Sequence, residues 1–113
     1  MTMTTISEKA GLLTFINVFT VSPENQQRLI DLLTRATDVS VRYAKGFVSS
    51  ALHRSLDGTK VTMYAQWQSM EDYQAMRGNP VASPYLTEAL TIATFESGAY
   101  AVVSTFIPPL ANQ

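Results

Sequence analysis

The sequence contains no cysteine and one histidine among its 113 residues. Without cysteine there is no disulfide framework, no thiolate nucleophile and no sulfur ligand, and one imidazole cannot build a histidine-rich metal site. Charge of either sign is also sparse: 8 basic and 9 acidic residues are scattered along the chain with no long run of either sign and leave a net charge of −1. Such a chain carries no basic patch for nucleic acid or for an anionic membrane surface. No run approaches the roughly 20 apolar residues of a membrane-spanning helix. The opening MTMTTISEKA lacks the basic region and apolar stretch of a secretory signal. The expectation is a cytoplasmic protein with no metal site and no nucleic-acid or membrane partner, in which any cofactor binds without cysteine ligation.

What the chain does have is apolar residues, 46% of the total, in a length that suits one domain with a substantial core. The small polar residues 1–10 read as a loose N-terminal arm, residues 11–108 as a single domain, and 109–113 as a short tail. From Leu12 to Val21 the run LLTFINVFTV is rich in β-branched and aromatic residues and apolar on both faces. Leu13, Phe15, Asn17 and Phe19 share one face; Leu12, Thr14, Ile16, Val18 and Thr20 share the other. Ser22-Pro23-Glu24 reads as a helix start, and the spacing of Leu29, Leu32, Leu33, Ala36, Ser40 and Tyr43 predicts a helix to about Ala44, ended by Gly46.

Phe47 to Ser55 and Lys60 to Trp67 read as two strands joined across Leu56-Asp57-Gly58-Thr59. Alternation groups Phe47, Ser49, Ala51 and His53 on one side of the first strand, and Val61, Met63, Ala65 and Trp67 on one side of the second. Ser69 with Asp72 three residues on predicts a capped helix from Met70 that stops before Gly78. Ser83-Pro84 begins a further helix through about Ala93, and a last strand is predicted over Ala99 to Ile107, stopped by Pro108-Pro109.

The order β-α-β-β-α-β is that of a ferredoxin-like α+β sandwich, one antiparallel sheet with helices on one face. The opposite face is too apolar for water, so the expected assembly is a homodimer with two sheets packed face to face. Asn17 stands out within this pattern. It shares a face with Phe15 and Phe19, where an unpaired amide costs about 1–3 kcal/mol, so it needs a partner in backbone, water or ligand.

The hairpin motif, Gly46-Phe47, His53, Asp57-Gly58-Thr59, Ala65-Gln66-Trp67 and Ser69, resembles the antibiotic biosynthesis monooxygenase family of dimeric α+β barrels, over most of the chain from Phe15 to about Tyr85. The resemblance implies a small cofactor-independent monooxygenase that oxidises a polycyclic phenol, anthrone or hydroquinone to a quinone with O2, as in aromatic polyketide pathways. Under it Trp67 and Tyr73 correspond to pocket aromatics and His53 to the hairpin histidine. Met63 replaces an asparagine common in those enzymes. The predicted catalytic residues are therefore Trp67 as a donor to substrate oxygen, His53 as the candidate base and Asn17. Phe15, Phe19, Met63, Tyr73 and Tyr85 are expected to contact substrate, with Tyr85 as a lid.

Asn17 also matches an asparagine on the first strand of haem-degrading relatives. The absence of any histidine between Tyr73 and Leu86 argues against that branch. The alternative from another class is a non-catalytic or stress-related homodimer that binds a small molecule on the same scaffold.

Overall fold

The computed structural model describes residues 11–81 and 83–109. The expected N-terminal arm and the last four residues of the expected tail lie outside this range. Strands β1 (Leu13–Val21), β2 (Phe47–Arg54), β3 (Lys60–Trp67) and β4 (Ala93–Tyr100) form one antiparallel sheet in the order β2-β3-β1-β4. Helices α1 (Gln26–Val39), α2 (Met70–Arg77) and α3 (Ser83–Ile92) cover one face. This is the ferredoxin-like architecture that the order of elements predicts.

The core lies between helices and sheet. Leu29, Leu33 and Ala36 on α1 recur at helical spacing and are buried, meeting Phe19, Val61 and Ala89 at one end and Phe15, Trp67 and Tyr73 at the other. Full burial contributes roughly 1.5–3 kcal/mol for each large aliphatic side chain. Gln26 fixes the start of α1 to the hairpin mouth, its amide donating to the backbone carbonyls of Ser55 at 3.1 Å and Lys60 at 3.0 Å. The chain is not helical from Ser22 onward, as the sequence suggested. Pro23–Asn25 forms one 3-10 turn, and Ser22 makes no side-chain cap bond. After Ser40 a second 3-10 turn, Val41–Tyr43, rotates the apolar stripe, so Val41 is buried while Tyr43 is exposed beneath the Arg42 guanidinium.

Gly46 joins this turn to β2 with φ +84, and Asp72 of α2 lies against it. A Cβ there would fall 2.2 Å from an Asp72 carboxylate oxygen. Gly46→Ala therefore combines left-handed strain with a clash at the start of α2, and is expected to destabilise the fold by about 2 kcal/mol or more in urea unfolding. The neighbouring cap forms as the sequence predicts, with the Asp72 amide donating to Ser69 Oγ at 3.1 Å.

In the β2–β3 turn the Asp57 carboxylate accepts from the Thr59 hydroxyl at 2.7 Å, the Thr59 amide at 3.0 Å and the Ser55 hydroxyl at 2.8 Å. These bonds, those of Thr59 foremost, lower its pKa from 3.8 to about 2. A depressed carboxylate pKa means stability that is present above the unfolded value and lost as pH falls from 3.8 towards 2. Asp57→Asn should flatten the acid limb of the stability profile in that window, read as the urea midpoint against pH.

Two expectations are corrected by the sheet. A bulge between Phe47 and Ser49 makes Val48 an extra residue, and this inverts the alternation after it. Phe47 packs on Trp67 on the helix side together with Ser50 and Leu52, whereas Ser49, Ala51 and His53 face away. The last strand is Ala93–Tyr100, six residues earlier than predicted, and residues 101–109 have no regular secondary structure. Pairing sets these limits. Ala93 lies opposite Val21 and Tyr100 opposite Thr14, so β4 ends where β1 begins. Gly98 sits inside the strand rather than opening it, and the Tyr100 ring covers its bare Cα, 2.6 Å from where a Cβ would stand.

Candidate active site

A cavity of about 100 Å³ opens between the sheet and the helices. On the same measure one water needs roughly 10–15 Å³, so the space is several waters in size. The sheet supplies its floor through Asn17 and Phe19 of β1, Met63, Ala65 and Trp67 of β3, and Phe95 of β4. Leu33, Ala36 and Thr37 of α1 form one wall; Tyr73, Met76 and Arg77 of α2, with Leu86 and Leu90 of α3, form another. Its lining is mostly apolar.

The aromatic groups in this wall hold each other in place. Trp67 is 1% exposed and meets Phe47 edge-on at 5.4 Å and Tyr73 edge-on at 5.8 Å between ring centroids. Phe19 and Phe95 stack at 5.1 Å across the β1–β4 pair. Such contacts add about 0.5–1.5 kcal/mol each beyond the area they bury, and they leave these rings little freedom to move.

Asn17 is the amide among the few polar groups of this lining. Its Oδ1 is buried and has no hydrogen-bond partner, the one such buried side-chain atom among the described residues. An unpaired acceptor in an apolar wall costs about 1–3 kcal/mol, and natural cores retain few of them. Asn17 lies directly opposite Met63 on β3 and opposite Ser97 on β4. The amide on the first strand therefore stands one strand over from the position where Met63 supplies only a thioether. A hydroxyl donor inside the cavity would satisfy it.

Five of the eight predicted site residues come together here: Asn17, Phe19, Met63, Trp67 and Tyr73. The other three do not. His53 is exposed on the opposite sheet face, paired with Thr62 and edge-on to Tyr64 at 6.4 Å, so the bulge at Val48 turns it away from this cavity. Phe15 is buried behind the wall, stacked on Tyr73 at 3.8 Å, and lies outside the lining. Tyr85 packs half-buried on the core with the Arg35 guanidinium 5.9 Å from its ring centroid, outside the lining. Sequence reasoning missed Phe95, because β4 was placed too late. It also missed Arg77, four residues after Tyr73 and so on the same face of α2. Among the described residues no group of three His, Cys, Asp or Glu could hold a metal ion, and no helix is long and apolar enough to cross a membrane.

The sequence profile of antibiotic biosynthesis monooxygenases matches residues 12–85. The chain belongs to the antibiotic biosynthesis monooxygenase family. The matched segment carries β1 to β3 and the first two helices, and with them most of the cavity. Tetracenomycin-F1 monooxygenase of Streptomyces glaucescens is 45% identical over 83 residues, 74% of either chain. SnoaB, a cofactor-independent oxygenase from Streptomyces nogalater, superposes with a TM-score of 0.72 at 25% identity, over 85% of this chain and 97% of SnoaB. Rv0793 from Mycobacterium tuberculosis shares the fold, with a TM-score of 0.72 at 21% identity over 83% of this chain and 97% of that one. The family's function class, a small monooxygenase, is thereby that of this chain.

Proposed function

We propose that the protein is a cofactor-independent monooxygenase that oxidises a polycyclic phenol or anthrone to a quinone with O2, in the assembly of an aromatic polyketide. The observation that carries this reading is the unpaired Asn17 Oδ1 inside an aromatic cavity. A phenolic hydroxyl is a donor for that oxygen, and the flat ring that carries it suits an apolar cavity lined by Trp67, Phe19 and Tyr73. The relationship to tetracenomycin-F1 monooxygenase supports the substrate class, and the likeness to SnoaB supports chemistry without a cofactor. The reaction balances without an added reductant: an anthrone methylene and O2 give a carbonyl and water, the substrate supplying all the electrons. The protein's part is to bind and orient the ring, hold its oxygen, and exclude water while the reactive oxygen species is consumed. The cavity is partly open, so the reacting ring sits inside and the remainder of a polycycle extends through the mouth.

To test this, chelator-treated protein is mixed with anthrone under air and quinone absorbance is followed. Acceleration over buffer is expected; none would remove this substrate class. His53→Ala is expected to leave the rate within about twofold, because the imidazole does not reach the cavity. A tenfold fall would place His53 back in the mechanism.

The protein acts as a homodimer in this reading. Ile16, Val18 and Tyr64 are only half-buried on the sheet face away from the helices, and Val103, Phe106 and Ile107 are 85–89% exposed beyond β4. Light scattering should give twice the chain mass; a stable monomer contradicts it. A non-catalytic binding homodimer is favoured by one observation, the thioether of Met63 in the cavity floor. Retained binding of an anthrone without quinone formation would support that alternative.

A further inference from the structure

An apolar cavity alone does not suit the chemistry proposed for it. O2 reacts with the ionised form of a phenol or anthrone, and walls of Trp67, Phe19, Met63 and Phe95 disfavour an anion because they cannot solvate it. A cation at the cavity reverses that preference. Among the described residues, Tyr73 and Arg77 are the only ionisable side chains in the lining, and Arg77 is the only cation.

Arg77 is exposed to solvent and yet part of the lining, so it stands where the cavity meets water. Its Cζ lies 5.9 Å from the ring centroid of Tyr73 and 5.9 Å from that of Phe95. One guanidinium nitrogen donates to the Tyr73 hydroxyl at 3.4 Å, and the fork carries further N–H groups besides that one. The ion pairs among the described residues are Arg28 with Glu88 and Arg42 with Asp38; no carboxylate pairs with Arg77. The charged groups on neighbouring elements are committed elsewhere. Glu88 of α3 is held by Arg28 at 2.9 Å, Arg35 of α1 lies over Tyr85, Asp72 of α2 lies against Gly46, and Glu96 of β4 is opposite Val18 on the outer sheet face.

We infer that Arg77 is the anion-holding residue of the cavity and binds the substrate as its phenolate or enolate. This rests on the reading of the cavity as a phenol-oxidising site. The proton leaves to bulk water at the mouth from an oxygen other than the one that donates to Asn17 Oδ1, the electron pair stays on that oxygen facing the guanidinium, and the ring becomes the electron donor to O2. No side-chain base is required. An opposite charge within about 4–6 Å lowers an acid's pKa by about 1–3 units, enough to outweigh a partial loss of solvation at an open mouth.

Alizarin, a hydroxyanthraquinone whose colour reports its ionisation, provides the test by titration of the dye bound to the intact protein. Wild type is expected to ionise the bound dye at a lower pH than Arg77→Gln does, by about one unit or more. Arg77→Lys restores most of that shift, because it keeps the charge. Arg42→Gln, which removes a guanidinium outside the cavity, leaves the titration unchanged. The acid limb of kcat/KM for anthrone oxidation should move with the dye. Equal titrations for wild type and Arg77→Gln, or a lysine variant no better than the glutamine one, overturn the inference while leaving the oxidation reading intact. Failure of wild type to bind the dye at all overturns both.

Discussion

Asn17→Leu is expected to make the protein more stable and nearly inactive. The side chains are close in volume, and leucine replaces an unpaired buried oxygen with a methyl group in an apolar wall. Removing such an unmet acceptor returns about 1–3 kcal/mol, seen as a higher urea midpoint. The same change deletes the acceptor for the substrate hydroxyl. Losing one well-placed polar contact to the reacting group lowers kcat/KM by about 100-fold or more. The two effects have opposite signs, and that separates a ligand-facing asparagine from a structural one. If Asn17 held the fold together, Asn17→Leu would lower stability and activity together.

Trp67→Ala is the largest expected loss of stability. The indole is 1% exposed, ends β3 and touches both Phe47 and Tyr73. Removing a buried aromatic of this size costs about 3–5 kcal/mol, through lost transfer energy and the void left behind. For a domain of this length that lowers the melting temperature by about 10–20 °C. Trp67→Phe separates the two roles of the residue. A phenyl ring keeps most of the packing, so the fold is retained with a loss of about 1–2 kcal/mol. It lacks the indole N–H and widens the cavity, so anthrone oxidation should slow by about tenfold. An unchanged rate in Trp67→Phe would make the indole a core residue only.

The fold was largely legible because local chemistry and global pattern agree. The Asp57-Gly58 turn, the Ser69 cap, the left-handed Gly46 and the spacing of Leu29, Leu33 and Ala36 each point to the element that forms. The site was legible in part, and its failures have local causes. His53 entered the expected site through the family resemblance, while alternation left open which face of β2 meets the helices; the bulge at Val48 turns the imidazole to the outer face. Nothing in the letters GFVSSALHR marks the bulge. Phe95 was missed because the helical reading ends near Ala93 and the strand reading begins at Ala99, where the strand signal is stronger; the pairing of residues 93–98 with β1 is a tertiary effect. Arg77 could have been found from its spacing to Tyr73, since residues four apart share a helix face.

Asn17 illustrates the remaining gap between sequence and site. Its amide among phenylalanines was visible from the start, but whether it met backbone, water or ligand depended on what β3 and β4 place beside it. Met63 and Ser97 are those neighbours, and Oδ1 remains unpaired between them.

The central claim is that this cavity transfers one oxygen atom from O2 to a ring carbon of its substrate, the methylene of an anthrone, without a cofactor. It is tested most directly by oxidising anthrone under isotopically labelled O2 with chelator-treated protein and weighing the quinone by mass spectrometry. The account predicts one labelled oxygen per quinone, formed at an unchanged rate after chelation and not accelerated by Asn17→Leu. Unlabelled quinone, loss of activity on chelation, or full activity in Asn17→Leu would contradict it.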